Sequence, residues 1–311
     1  MAGKLVTGGA GFIGSHLAER LADLGHEVRV LDNFTTGRHQ NIAHLAGRIE
    51  VIEGDIRDEA TAARAVAGMD TVFHLAALAS VPRSVDDPIA SNDVNVMGSL
   101  NMLVASRDAG VRRFIYSSSS SVYGDTPELP KREEMPARPM SPYAVAKLAG
   151  EYYTRTFHGL YGLETVCLRY FNVFGPRQDP GSQYAAVVPI FASRLIEGRA
   201  PIIYGDGEQS RDFTYVSSVV DANILASERP GVEGNMFNIA RGDTITVNEL
   251  YRRLQELIGT SIDAIYEDER PGDVKHSFAD ISRARSELGF SPVVGLDEGI
   301  ELTVEWFRAQ G

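Results

Sequence analysis

Across 311 residues, 42 acidic side chains against 30 basic ones leave a formal net charge of −12, and 43% of the chain is apolar. That balance excludes an extended nucleic-acid surface, which needs a basic stripe, and an apolar content this high excludes disorder as the dominant state. No apolar run reaches the roughly 18 residues of a membrane span, and Met1-Ala2-Gly3-Lys4 leads into Leu5-Val6 without a basic-then-apolar leader, so no membrane partner and a cytoplasmic location are expected.

The length predicts about two domains. Through the first half, β-branched runs alternate with amphipathic stretches, the pattern of a parallel sheet with crossover helices. Strands are expected at Lys4 to Thr7, Glu27 to Asp32, Ile49 to Glu53, Thr71 to Leu75, Arg113 to Ser117 and Thr165 to Arg169. Helices are expected at Gly14 to Leu24, Ile89 to Ala109 and Pro142 to Tyr161, then at Asn248 to Ile258 and Leu296 to Phe307. Four prolines between Asp125 and Pro139 mark a loop. After Phe171 the alternation loosens, as in a smaller second domain packed beside the sheet. The single cysteine, Cys167, lies in an apolar strand and reads as an inert core thiol. The seven histidines show no ligand spacing, so no metal is expected.

Chemistry first shows in the run Thr7-Gly8-Gly9-Ala10-Gly11-Phe12-Ile13-Gly14, which follows a strand and opens a helix. In that context backbone N–H groups approach a pyrophosphate at the positive end of the helix. Asp32 ends the second strand 18 residues after Gly14, where a carboxylate accepts hydrogen bonds from an adenosine ribose and repels a 2′-phosphate. NAD is therefore expected rather than NADP. Asp55 and Ile56 follow the third strand and would frame the adenine, and Leu75-Ala76-Ala77 forms a small-residue turn after the fourth.

Tyr143 and Lys147 stand one helical turn apart behind Ser141, a good N-cap, and Pro142, which suits the first helical position. The helix dipole and the ammonium would both stabilise a tyrosinate and lower its pKa toward neutrality, as a general base requires. An amphipathic surface pair is the bland alternative. It loses force because the serines from Ser117 to Ser121 end another strand beside the expected cofactor, where a hydroxyl could relay a proton.

Together, TGGAGFIG, Asp32, the serine run ending in Val122-Tyr123-Gly124, and SPYAVAK (141 to 147) resemble the extended short-chain dehydrogenase/reductases. Within them the chain is similar to the NAD-dependent UDP-glucose 4-epimerase and UDP-N-acetylglucosamine 4-epimerase family. LRYFNVFGPRQ (168 to 178), YGDGEQSRDFTYV (204 to 216) and RPGD (270 to 273) extend the likeness over nearly the whole chain. The resemblance implies an α/β fold, a Rossmann-type doubly wound parallel sheet with a smaller α/β C-terminal substrate domain. Residues 1–171, with a returning segment at about 212–240, would hold NAD; residues 172–211 and 241–311 would hold the nucleotide sugar.

By the same resemblance the catalytic set is Ser119, Tyr143 and Lys147. Cofactor contacts fall on Gly8, Gly11, Phe12, Ile13, Gly14, Asp32, Asn33, Thr36, Gly37, Asp55 and Ile56, and on Leu75, Ala76, Ala77, Asn95, Ser117, Tyr143, Lys147 and Tyr170. UDP-sugar contacts fall on Arg83, Ser119, Tyr143, Asn172, Ala186, Val187, Tyr204, Arg211, Arg270, Asp273 and Ser277. For Arg83 a solvated loop charge is the alternative reading. Related dehydratases and decarboxylases carry acidic residues where this chain has Ser120 and Ser121, which cannot serve as the acid or base of water elimination. A bulky Tyr at the position of Ser277 would obstruct an N-acetyl group, so both UDP-Glc/UDP-Gal and UDP-GlcNAc/UDP-GalNAc are expected to fit. The implied reaction is transient C4 oxidation to a 4-keto sugar and hydride return to the opposite face. Another nucleotide-sugar enzyme of this fold (a UDP-glucuronate 4-epimerase or a 4-keto-sugar reductase) and a non-catalytic NAD-sensing module stay open. A homodimer is implied through the helices at Ile89 to Ala109 and Pro142 to Tyr161.

Overall fold

The structure is a computed structural model that describes residues 3–181, 187–269 and 274–310. In chain order, the strand β1 (Gly3–Thr7) leads to α1 (Phe12–Asp23), then β2 (Glu27–Asp32), β3 (Ile49–Glu53), α2 (Glu59–Val66) and β4 (Met69–His74). Next come α3 (Val81–Asp86), α4 (Pro88–Asn92), α5 (Ser99–Asp108), β5 (Arg113–Ser119), α6 (Pro142–Tyr161) and β6 (Glu164–Tyr170). The remainder comprises β7 (Val173–Phe174), α7 (Val187–Ile196), β8 (Ile202–Tyr204), β9 (Ser210–Arg211), β10 (Thr214–Tyr215) and α8 (Val216–Glu228). It closes with β11 (Met236–Ile239), β12 (Ile245–Thr246), α9 (Val247–Ile258), β13 (Ile265–Glu267), β14 (His276–Ser277) and α10 (Leu296–Gln310).

Seven parallel strands form the central sheet in the order β3-β2-β1-β4-β5-β6-β11. The interior strands read as apolar runs because helices cover both faces. On one face Leu17 and Leu21 of α1 pack with Val219 and Ala222 of α8; on the other, Ala62 of α2, Met102 and Leu103 of α5 and Phe157 of α6 do so. A separate core gathers Phe191 and Leu195 of α7, Leu250 and Leu254 of α9, and Ile300, Val304 and Phe307 of α10. The architecture is thus the Rossmann-type fold expected, and the expected strands and helices lie within a few residues of the observed ones. No described helix is long and apolar enough to cross a membrane.

Two elements differ from the sequence reading. Met236–Ile239 joins the sheet edge as a seventh strand against Cys167 to Tyr170, although its four residues carry little β-branched signal. The single helix expected from Ile89 to Ala109 is interrupted at Asp93–Gly98, a wide turn with i→i+5 bonding. That turn packs Gly98 on Ile56, where a Cβ would meet Ile56 Cδ1 at 2.5 Å, and it carries Asn95 inward.

Candidate active site

Strand order reverses between β1 and β4, so a crevice opens at their carboxyl ends, the place where doubly wound sheets take ligands. A cleft of about 960 Å³ lies there. Gly8, at φ +68°, turns the chain so that its N–H reaches the Leu31 carbonyl at 2.8 Å, and Gly11 N–H donates back to Gly8 O at 3.1 Å. No side chain caps α1, and its first internal bond runs from Ser15 N–H to Gly11 O. The amides of Phe12, Ile13 and Gly14 therefore have no partner within the helix and stand at the cleft wall. These features suit a dinucleotide pyrophosphate.

Asp32 is buried at the end of β2, its carboxylate accepting from Ala10 N–H and Phe34 N–H, both at 2.9 Å. Burial raises its pKa against those two bonds. Gly37 sits against it, for a Cβ there would lie 2.7 Å from Asp32 Oδ1. Asn33 donates to Asp55 at 2.9 Å, and Arg57 holds the Asp55 carboxyl down at about 2. Thr36, Ile56, Leu75, Ala76 and Ala77 complete this end of the cleft, with Ser117, Tyr143, Lys147 and Tyr170 at the other. Asn95 is not among the residues that line the cleft; it is buried behind Leu78 and Val94, which do, accepting from Leu78 N–H at 2.8 Å and donating to Leu78 O at 3.2 Å.

Ser141 caps α6 by accepting from Ala144 N–H, with Pro142 at the first helical position, as the sequence predicts. This start aims Tyr143 at the end of β5, where the Ser119 hydroxyl lies beside its phenol and works to lower its pKa. Lys147 Nζ donates to the Ser117 carbonyl at 2.8 Å and lies 5.9 Å from the centre of the Tyr143 ring. The two groups meet as expected, but their electrostatics do not. Burial pushes Tyr143 up to about 12 and Lys147 down to about 8. The expected lowering of Tyr143 fails in the protein alone because desolvation outweighs an ammonium engaged with a carbonyl.

A second cleft of about 530 Å³ is lined by Asn172, Val187, Tyr204 and Arg211. Residues 172–174 and 180–181 line it while Tyr170, Gln178 and Asp179 line the first, so one segment walls both. Arg83 stands in the first cleft, and Ser277 pairs with Arg211 across β14 and β9 without lining either cleft. Ala186, Arg270 and Asp273 lie outside the described residues. Sequence reasoning missed Arg194 and Arg199, which add two cations to the second cleft. Arg194 shares one face of α7 with Val187 and Ile190, and its buried Nε has no hydrogen-bond partner among the described residues. The spacing 187, 190, 194 was the available signal.

A glycine turn at the switch point of a doubly wound sheet, facing a Ser-Tyr-Lys set, defines a dinucleotide-dependent enzyme of the Rossmann type. The chain belongs to the NAD dependent epimerase/dehydratase family, whose model matches residues 4–240. It is 43% identical over 308 residues to a UDP-glucose 4-epimerase of Mycolicibacterium smegmatis, with 98% of each chain covered. It is 44% identical to a UDP-N-acetylglucosamine 4-epimerase of Methanobrevibacter ruminantium, solved with UDP-N-acetylmuramic acid; the TM-score is 0.96, and 100% of this chain and 99% of that one are covered. For a UDP-glucose 4-epimerase of Thermotoga maritima, solved with UDP-glucose, the identity is 42%, the TM-score 0.95 and the coverage 99% of each chain.

Proposed function

We propose that this protein is an NAD-dependent 4-epimerase of UDP-hexoses, an isomerase acting on UDP-Glc/UDP-Gal and on UDP-GlcNAc/UDP-GalNAc. The observation that carries the reading is that Tyr143, with Ser119 beside its phenol, and Lys147 line a dinucleotide cleft that shares a wall with an arginine-lined one. NAD bound in the first cleft supplies the acceptor and then the donor of the C4 hydride, and its oxidised ring adds positive charge to the site. Tyr143 removes the proton of the C4 hydroxyl and later returns it, with Ser119 as the relay. Lys147 holds the cofactor ribose and adds positive charge near the phenolate.

A chain of net charge −12 must hold a diphosphate with local cations. Arg211 and Arg270 take that role, their forked guanidiniums matching phosphate oxygens, while Asn172 and Val187, which line the second cleft, are assigned to the nucleotide together with Ala186. Tyr204 stacks on uracil, Asp273 holds its ribose, and Arg83 faces the sugar. Cations concentrated on the UDP half leave the hexose loosely held, so a 4-keto sugar can rotate and be reduced from its other face. In this reading residues 172–211 and 241–311 are the nucleotide-sugar half, and residues 1–171 with 212–240 the NAD half. Purified protein incubated with UDP-Glc and with UDP-GlcNAc, without added reductant, is expected to give both C4 epimers of each. Failure to interconvert either pair overturns the proposal.

Ser277 sets which sugars fit. In this reading a phenol in its place obstructs an N-acetyl group; what supports it is that Ser277 pairs with Arg211, a residue of the second cleft. Ser277→Tyr is expected to lower kcat/KM for the acetylated pair by about 100-fold while leaving the plain hexoses within about threefold. Equal loss on both pairs, measured by chromatography of the epimers, removes Ser277 from this role.

The protein acts as a homodimer in the cytoplasm, without nucleic acid or membrane. Supporting the dimer, Val85, Ile89 (73% exposed), Val145, Tyr152 and Leu160 (71%) stand out on α3, α4 and α6, helices that pack together. An apolar patch of this kind on neighbouring helices marks an interface. Sedimentation is expected to show twice the chain mass for the wild type and the chain mass for Val145→Glu/Tyr152→Glu. A wild type sedimenting as a monomer counts against the interface.

A further inference from the structure

Glu151 lies one helical turn beyond Lys147 on α6 and is 2% exposed. Its Oε1 accepts from Ser118 Oγ at 2.5 Å and from Arg169 Nε at 2.8 Å, and its Oε2 accepts from Arg169 Nη2 at 2.7 Å. Arg169, equally buried on β6, lies 4.6 Å above the Tyr123 ring, whose hydroxyl donates to Asn238 on β11 at 2.7 Å. Removing two charges from water is costly enough that apolar residues of the same volume serve stability as well or better. The pair therefore calls for an explanation other than stability.

Its position supplies one. Ser118 stands between Ser117, whose carbonyl holds Lys147 Nζ, and Ser119, whose hydroxyl lies beside the Tyr143 phenol. Glu151 grips the strand residue between the two that touch the catalytic helix, and does so from that helix. We propose that Glu151, together with Arg169 and Ser118, is a positioning residue for the reaction, locking the end of β5 to α6 and keeping the Lys147 ammonium charged. This rests on the reading of Ser119, Tyr143 and Lys147 given above. The groups facing Lys147 are Tyr143 and Glu151 on α6, Tyr116 at 5.1 Å on β5 and His74 on β4, while on β6 Cys167 and Arg169 stand beside Glu151 and Tyr170 bonds Ser117. Burial pushes Tyr116, Tyr143, Cys167 and Tyr170 up and His74 down, so all five are neutral at pH 7. Among these groups Glu151 is the anion that opposes the desolvation of Lys147.

The chain has lysines at 4, 131, 147 and 275 alone, so ¹³C-lysine NMR can follow Lys147 directly, assigned by its loss in Lys147→Ala. In Glu151→Gln, which keeps an acceptor oxygen and removes the charge, the Lys147 titration is expected to fall by about one pH unit or more. In Ser118→Ala, which leaves the ion pair, it stays at the wild-type midpoint while kcat drops about tenfold with KM for the UDP-sugar unchanged. Wild-type titration of Lys147 in Glu151→Gln, or wild-type kcat in a folded Ser118→Ala, overturns the proposal. A wild type that epimerises nothing overturns the functional reading instead, and the lysine titration still decides this one.

Discussion

Tyr143→Phe is expected to lower kcat for epimerisation by about three orders of magnitude, while KM for the UDP-sugar and the bound NAD stay near wild type. The substitution keeps the ring and removes only the phenol oxygen beside Ser119, so packing at the start of α6 survives. The size of the loss follows from how little else there can do the work. Lys147 is engaged with the Ser117 carbonyl, the Tyr170 hydroxyl is shared with Ser117 Oγ at 3.0 Å and Asn223, and Ser120 and Ser121 carry no acid or base. Burial holds the phenol at about 12 in the protein alone, so proton removal depends on the charge that the bound cofactor adds. Single-turnover assays with UDP-Glc, beside a titration of the NAD content, check both halves of the expectation. Turnover at the wild-type rate would remove Tyr143 as the base.

Gly14→Ala is expected to abolish NAD retention and weaken NAD affinity by about 100-fold or more. A Cβ on residue 14 would stand 2.2 Å from Gly8 O and 2.8 Å from Gly9 Cα, both backbone atoms that cannot swing aside. Gly8 has no room to retreat, because its own missing Cβ faces Ala76 N at 2.8 Å and its N–H is bonded to Leu31 O. The helix must therefore withdraw from the loop, taking with it the amides of Phe12 and Ile13 that face the cleft. UDP binding is expected to persist, since the second cleft is built on its own core of Phe191, Leu250 and Ile300. Gly159→Ala is the matched control. It lies within α6 with nothing inside 4 Å of the added methyl, and it should raise stability by about 0.5 to 1 kcal/mol. Calorimetry with NAD and with UDP separates the two sites; wild-type NAD affinity in Gly14→Ala would sink the argument.

The residues that sequence reading located share a property: their roles depend on neighbours a few positions away. The glycine turn, Asp32 at a strand end and the Ser141-Pro142 start that sets Tyr143 and Lys147 on one face are local patterns, legible from spacing and propensity. The wide turn at Asp93–Gly98 shows the limit: no local signal interrupts the helical pattern there, and the turn is fixed by contacts such as Gly98 on Ile56 and Asn95 on Leu78. Arg194 escaped because an arginine on an amphipathic helix reads as solvated until the opposing strand closes a cleft over it.

By itself, then, the chain's order of residues determined the parallel sheet, the glycine turn after β1 and the start of α6 with Tyr143 and Lys147, because hydrophobic period, capping and glycine backbone freedom act within one or two turns of chain. Tertiary structure alone decided the seventh strand, the direction of the Tyr143 and Lys147 pKa shifts, and the grip of Glu151 on Ser118, 33 residues away, and on Arg169, 18 away. Desolvation and hydrogen-bond partnership depend on what surrounds a group in space, and those surroundings come from β4, β5, β6 and α6 together.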